Sequence, residues 1–366
     1  MTGTNGGTLF GLRRIGKSSE VLACAERLRG GKPPYLVLYQ DAQGCGSESK
    51  LLVDILKQLP PQGWRQRVTQ LIADDNAIAS TARDALQKFA GKEADIQAYL
   101  SPIMDALESS IDRSEQVVLI IDEFPWLCRN ILESDSAQGR SRVDLFLAAM
   151  RRWRAKGVRM LLLGSVGMAA LGRRHGLDLS HLIDLTRLEV PPLGDDEARA
   201  FVRRLAAGGG VSGWTEQHTE RLIEESAALY TSILQRGFQQ LTVGGRAAPL
   251  EKISDIFAEK IRPNLDATFY EQFDRRLPFY RELPEPLPGL LTRLLQTVIS
   301  SDEPVEYQSF RGNDPVDDAD LGDALAMLRE DGFLQMRAPR DQGQLWRPAS
   351  TLVTAWWRQR RGGAFA

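Results

Sequence analysis

Cysteine and histidine are scarce in this chain, at three each in 366 residues. Cys24, Cys45 and Cys128 cannot all pair, and neither they nor His175, His181 and His218 fall at metal-ligand spacing. That excludes a disulfide scaffold and a Cys/His metal module, and it suits a reducing compartment. Long apolar runs are missing as well: none approaches the roughly 20 residues that span a bilayer. The start, M-T-G-T-N-G-G, lacks the basic beginning and apolar middle of a secretory signal. An excess of one charge is also absent. The 46 basic and 48 acidic residues nearly cancel, so no global field draws the protein to nucleic acid or anionic lipid. No nuclease, protease or other effector motif is visible. What remains is the composition of a soluble, cytoplasmic, non-membrane protein. Its 43% hydrophobic residues suffice for two or three domains with real cores.

Three short apolar runs read as strands buried on both faces: Tyr35–Tyr39, Val117–Ile121 and Met160–Leu163. A fourth, Thr8–Phe10, is short and feeds a glycine. Helical patterns lie between them at Ser19–Leu28, Ser49–Leu59 and Val143–Lys156, with a longer stretch from about Gln66 to Ile111. Strands alternating with helices predict an α/β fold, a parallel sheet with helices on both faces. Right-handed crossovers then bring the loops after the strands to one edge, where ligands bind.

The first such loop reads G-L-R-R-I-G-K-S from Gly11 to Ser18, the P-loop spacing. Gly11 and Gly16 permit backbone angles that turn successive N–H groups toward a phosphate, and the helix that follows adds its positive end. The candidate nucleotide-binding residues are Gly11, Arg13, Arg14, Ile15, Gly16, Lys17, Ser18 and Ser19. Lys17 is expected to reach the β- and γ-phosphates and Ser18 to hold Mg²⁺. The run Val117–Ile121 closes on Asp122-Glu123, the Walker B pattern. Asp122 is the second candidate Mg²⁺ residue, acting through water, and Glu123 the candidate general base that polarises the attacking water. The fourth strand ends Leu163-Gly164-Ser165. Ser165 is the candidate γ-phosphate sensor, with a plain turn serine as the alternative.

These segments together, "GLRRIGKSS", "YLVLYQDA", "VVLIIDEFPWL", "MLLLGSVGMAAL" and "LEVPPLGDDEARAFV", resemble the archaeal-type ATPases of the STAND group within the AAA-like P-loop NTPases. The resemblance covers roughly residues 8–290. It implies an ATPase core, a helical lid and a C-terminal winged helix, with ATP and Mg²⁺ as cofactors and a switch-like role. The sequence departs from that pattern in three places. The F-x-G-R-E segment that usually precedes the phosphate loop is missing, so either the start is truncated or misassigned, or the lid alone holds adenine. The stretch Leu179–Asp184 has no arginine to complete a neighbour's site; Arg173, Arg174 and Arg187 could substitute, the alternative for the first two being a solvated surface pair. The G-x-P expected near the second lid helix is replaced by Y-T-S-I-L-Q-R-G from Tyr230.

The expected division is a P-loop ATPase domain over 1–193, an all-α lid over 194–285 and a winged helix over 286–366. Lid helices are predicted at Glu197–Leu205, Thr215–Leu229, Ile233–Val243 and Leu250–Ala267. The tail reads as a helix at Gly289–Ser300, a short helix near Tyr307, a helix at Asp320–Arg329 and a hairpin of Leu334–Met336 with Gln344–Arg347 about a turn at 341–343. From Asp314 to Asp331 this tail carries seven acids and one arginine, which disfavours a DNA groove. Arg337, Arg340, Arg347, Arg358, Arg360 and Arg361 are the cations that could touch phosphate from the side. Trp356-Trp357 reads as core. Arg151-Arg152-Trp153-Arg154 reads as a solvated cationic face, with Leu145, Ala149 and Trp153 turned to the sheet.

The expected function is a Mg²⁺-dependent ATP-binding and ATP-hydrolysing switch, slow if no arginine completes the site, that closes its lid and winged helix over the sheet and signals through a partner protein. An oligomer is compatible with this. The alternatives are a DNA-associated ATPase of the initiator or transposition-regulator kind and a nucleotide-binding scaffold with little turnover.

Overall fold

The computed structural model describes residues 5–32, 34–58, 117–226, 228–311, 316–339 and 343–360. The helical stretch expected over 66–111, the wing turn at 341–343 with Arg340, and Arg361 all lie wholly or partly outside them. Among the described residues no helix is long and apolar enough to cross a membrane.

Five strands form one sheet: β1 (Gly6–Phe10), β2 (Leu36–Asp41), β3 (Val117–Asp122), β4 (Arg159–Gly164) and β5 (Thr186–Arg187), in the order β2-β3-β4-β1-β5. The registered pairs β2·β3, β3·β4 and β1·β5 are parallel. All six residues of β3 are buried, as a central strand covered on both faces requires. The helices are α1 (Lys17–Arg29), α2 (Glu48–Lys57), α3 (Phe124–Ser134) and α4 (Gly139–Ala155). Pro125 sits in the first turn of α3, where a missing N–H costs nothing. The order places β4 between β1 and β3, so the end of β4 lies between the strand that feeds the glycine loop and the strand that ends in the acid pair.

Contacts divide the chain into two compact units. One comprises Met1–Leu9, Ser18–Gly164 and His175–Leu188; the other comprises Phe10–Lys17, Ser165–Arg174 and Glu189–Ala366. In the first unit, two expectations for α4 fail. Leu145 is 49% exposed, while Val143, Phe146, Ala149, Met150 and Trp153 form the buried face. Arg154 is not part of a solvated cationic face: it is 2% exposed and makes a bidentate ion pair with Asp184, at 2.7 and 2.8 Å.

The second unit is mostly helical. After α5 (Met168–His175) come α6 (Asp195–Gly208), α7 (Glu216–Glu225) and α8 (Thr231–Leu241). The lid region is not all-α: β6 (Thr242–Val243) and β7 (Arg246–Ala247) make a small antiparallel hairpin about Gly244-Gly245, both at positive φ. The predicted helix ending at 267 continues to Arg281. It passes through α9 (Ile253–Ile256), a π-turn at Phe257–Ile261, α10 (Arg262–Leu265), a second π-turn at Asp266–Tyr270 and α11 (Glu271–Arg281). The first π-turn widens the helix just before Pro263, which cannot donate to the preceding turn. Next follow α12 (Leu287–Ile299), β8 (Val305–Glu306), a 3₁₀ turn at Tyr307–Phe310, α13 (Asp318–Glu330), β9 (Leu334–Arg337), β10 (Leu345–Pro348) and α14 (Thr351–Arg360). Strands β8, β10 and β9 form an antiparallel sheet; β8 and α14 were not foreseen. Along α12, Leu287, Leu290, Leu291, Leu294, Leu295 and Val298 are buried at helical spacing. They join a core with Phe273, Phe333 and Trp356 that also takes in Leu12, Ile15 and Ala170.

Candidate functional site

The glycine loop runs from the end of β1 into α1. Gly11 and Gly16 have φ of 151° and 102°, angles a side chain strains to adopt, and Arg14 takes a left-handed φ of 65° despite its Cβ. Lys17, 7% exposed, donates through Nζ to the carbonyl oxygens of Gly11 and Leu12 at 3.0 and 2.6 Å. Its ammonium is therefore held over the loop rather than spread into solvent. Within the same unit, the Arg13 amide donates to Gln272 Oε1 at 2.7 Å, and Leu12 and Ile15 are buried in the core described above. Arg14 and Ser19 are exposed.

In the other unit, Ser18 at the start of α1 meets the end of β3. Its hydroxyl donates to Asp122 Oδ2 at 2.6 Å across 104 positions of sequence. Asp122, 6% exposed, also accepts at Oδ2 from the Tyr39 hydroxyl at 3.0 Å and at Oδ1 from the Glu123 amide at 2.9 Å. Burial first, and the Asp122 charge next, push the Tyr39 phenol above its ordinary range, so it stays protonated and remains a donor. The donor set suits a hard cation: a hydroxyl and a carboxylate at hydrogen-bond distance, with only oxygen and amide groups bonded to Asp122 among the described residues. Mg²⁺ takes few protein ligands and keeps much of its water. Among the described residues, no cluster of three or more acidic, His or Cys side chains forms a self-sufficient metal cage, so a cation here would complete its shell with oxygens of water or a ligand.

Glu123 is half-buried and takes φ 53°, ψ 36° at the N-cap of α3. A left-handed glutamate is a strained conformation of the kind that clusters at functional positions. Tyr39 was not singled out from the sequence. An aromatic closing an apolar strand looks the same there whether it packs or donates; the signal was its place at the end of a strand neighbouring the Asp122 strand.

Ser165, 3% exposed, lies just past β4. Its carbonyl accepts from the Arg276 guanidinium. The rest of its segment is held by α13 and the residue after it. The Gly167 amide donates to Asp331 Oδ1 at 2.9 Å, the Ala169 amide to Glu330 Oε2 at 2.8 Å, and Arg173 to Asp320 Oδ1 at 2.6 Å. Asp331 also accepts from the Tyr280 hydroxyl at 2.5 Å and lies 3.5 Å from Arg276 Nε. Arg173 and Arg174 are therefore a surface pair, exposed but engaged in ion pairs. Arg174 pairs with Glu282 at 2.5 Å and lies over the Phe279 ring. The acids of the tail are largely engaged as well, with Asp318 bound to Arg311 at 2.7 Å. Trp356 and Trp357 are core, at 0% and 6% exposure. The structure thus joins Ser18 with Asp122 and holds Lys17 on its own loop, whereas Ser165 and Glu123 fall in different compact units.

No protein-family model and no curated protein matches the chain. Among solved structures, a Walker-type ATPase of Pyrococcus abyssi is similar over 97% of this chain and 91% of that one, at 15% identity and a TM-score of 0.51. The ADP form of the ORC2 protein of Aeropyrum pernix aligns over 98% and 89%, at 14% identity and a TM-score of 0.47. Sheet order, glycine loop and the first of these likenesses agree: the chain has the α/β fold of a P-loop NTPase with a mostly helical C-terminal region.

Proposed function

We propose that the protein is a Mg²⁺-dependent ATP-binding and ATP-hydrolysing switch that signals through a partner protein, an ATPase of the AAA-like, STAND-related kind. One observation carries this reading: the 2.6 Å hydrogen bond between Ser18 and Asp122. It brings a hydroxyl at the start of a phosphate-loop helix onto a carboxylate at a strand end, the two oxygens that the chemistry needs beside a metal–triphosphate. In this reading Lys17 and the loop amides hold the β- and γ-phosphates, Ser18 and Asp122 hold Mg²⁺, and Glu123 takes the proton of the attacking water. Ser165 senses the γ-phosphate. The bonds from α13 and Asp331 to the Ser165–Arg174 segment supply a route by which that sensing reaches the C-terminal region. The proposed organisation is a core over 1–193, a lid over 194–285 and a winged helix over 286–366, acting in the cytoplasm.

The test is MgATP binding by calorimetry and phosphate release by turnover. Lys17→Ala is expected to abolish MgATP binding. Glu123→Gln is expected to bind MgATP as the parent does while losing on the order of 100-fold in turnover, the contribution of a positioned base. Unchanged turnover in Glu123→Gln removes the base assignment; ATP affinity retained in Lys17→Ala removes the loop assignment.

A second reading, a DNA-associated ATPase, gains from one observation. The tail acids that would repel a duplex are bound to Arg173, Arg311 and backbone amides, so they oppose phosphate less than their number suggests.

A further inference from the structure

Within the second unit, away from the phosphate loop, a groove of about 620 Å³ runs between the lid segment at Pro191–Leu193, the end of α7, and the β9–β10 hairpin with the start of α14. One wall is apolar, formed by Pro191, Pro192 and Leu229. Arg337, Arg347 and Ser350 also line the groove. Strands β9 and β10 pair Leu345 with Arg337 and Arg347 with Gln335, which sets the two guanidiniums on neighbouring strands with like charges facing the same space.

Three features of that lining are not accounted for by the protein alone. Arg347 Nε is fully buried and has no hydrogen-bond partner. Neither arginine forms an ion pair among the described residues, although Asp195 also borders the groove. Ser350, 9% exposed, stands immediately before α14, yet its hydroxyl, with the Tyr230 phenol as near neighbour, completes no hydrogen bond of good geometry. A buried donor without an acceptor is costly, and Arg337, itself exposed, sets a like charge beside it. Burial, and then the charge of Arg337, pull the Arg347 guanidinium below its ordinary value, the direction expected of a cation lacking a counter-charge.

We propose that this groove is a ligand site for a phosphomonoester dianion carried on a small apolar body. The two guanidiniums match a doubly charged, multi-oxygen acceptor. The first turn of α14 faces it with the positive end of a ten-residue helix. The prolines and Leu229 receive the apolar part, and the volume is that of a small-molecule site. The site stands apart from the ATPase reading and does not depend on it.

The experiment uses the full chain carrying Lys17→Ala, so that the phosphate loop adds no competing anion site, and titrates phenyl phosphate by calorimetry. Saturable binding is expected, weakened about tenfold or more by Arg347→Gln, the loss of a charge-assisted donor pair. Thr354→Trp, which fills the groove from its wall and leaves both arginines, is expected to weaken it equally and decides the matter if Arg347→Gln does not fold. Benzoate, with the same ring and one charge, is expected to bind clearly more weakly. Absent saturation, binding retained in both variants, or benzoate binding as well as phenyl phosphate would each overturn the proposal.

Discussion

Asp122 is the residue on which most of the candidate chemistry converges, and one of its partners is a phenol. Two hydroxyls meet at Oδ2, from Ser18 and Tyr39. If Ser18 turns to a metal, Tyr39 remains to fix the carboxylate's orientation. Tyr39→Phe keeps the ring and removes that one bond. In the proposed function it is expected to weaken the Mg²⁺ dependence of turnover about tenfold, as the loss of an outer-shell partner does, while the melting temperature stays within a few degrees. A Mg²⁺ titration of turnover checks this. Residue types at fixed spacing made the loop and the acid pair legible, because the chemistry dictates both. Tyr39 and Arg154 were not legible. Their partners lie 83 and 30 positions away, and nothing local distinguishes an arginine that dives to an ion pair from one that points to water.

Among the elements, α4 shows what packing adds to periodicity. Leu145 and Trp153 lie eight apart, which suggested one face, but the buried arc centres on Phe146 and Met150 and leaves Leu145 outside. Arg154 enters that arc because Asp184 meets it there. The Arg154 side chain is fully buried and the Asp184 side chain 24% exposed, so removing the acid strands a buried cation. Asp184→Asn is expected to cost about 3 kcal/mol, read by denaturant unfolding at neutral pH. The pair also sets an acid limb. Hydrogen bonds from Arg154 hold the Asp184 carboxyl below the usual carboxylate range. Its contribution is therefore present above that range and lost as pH falls through the depressed folded value. Thermal melts from pH 7 to pH 3 are expected to show a shallower acid decline in Asp184→Asn than in the parent. The six longer strands, β1–β4, β9 and β10, were the best-read elements, found to within a few residues, because in the parallel sheet burial on both faces leaves apolar runs. β5, β6, β7 and β8 have two residues each; a pair of residues carries no alternation to detect.

At the scale of the whole molecule, charge near zero and an engaged acidic tail bear on what the protein touches. The basic groups of α14 are partly tied down, as when Arg360 binds Asp266 and Asp274, which leaves fewer cations free to meet a duplex. In the favoured reading, a gel shift with duplex DNA is expected to show no complex even at low salt. A complex that fades steeply as salt rises would favour the DNA-associated reading instead. The overall plan, a parallel α/β core followed by a helical region, was legible from the alternation of runs. The two compact units each draw on three separate stretches of chain, an interleaving that periodicity does not encode.

That interleaving bears on how the protein is made. Leu12 leaves the ribosome some 320 residues ahead of Gly332, whose backbone abuts it closely enough that a Cβ there would stand 3.1 Å from the leucine. At ordinary elongation rates the gap is on the order of half a minute. For that interval the core that takes in Leu12 and Ile15 is incomplete, because Phe333, Trp346 and Trp356 have yet to be made, so the nascent chain carries a greasy loop in want of its full cover. Nascent chains arrested before Gly332 is made are expected to cross-link at position 12 or 15 to a chaperone that shields short apolar segments, and released protein is not.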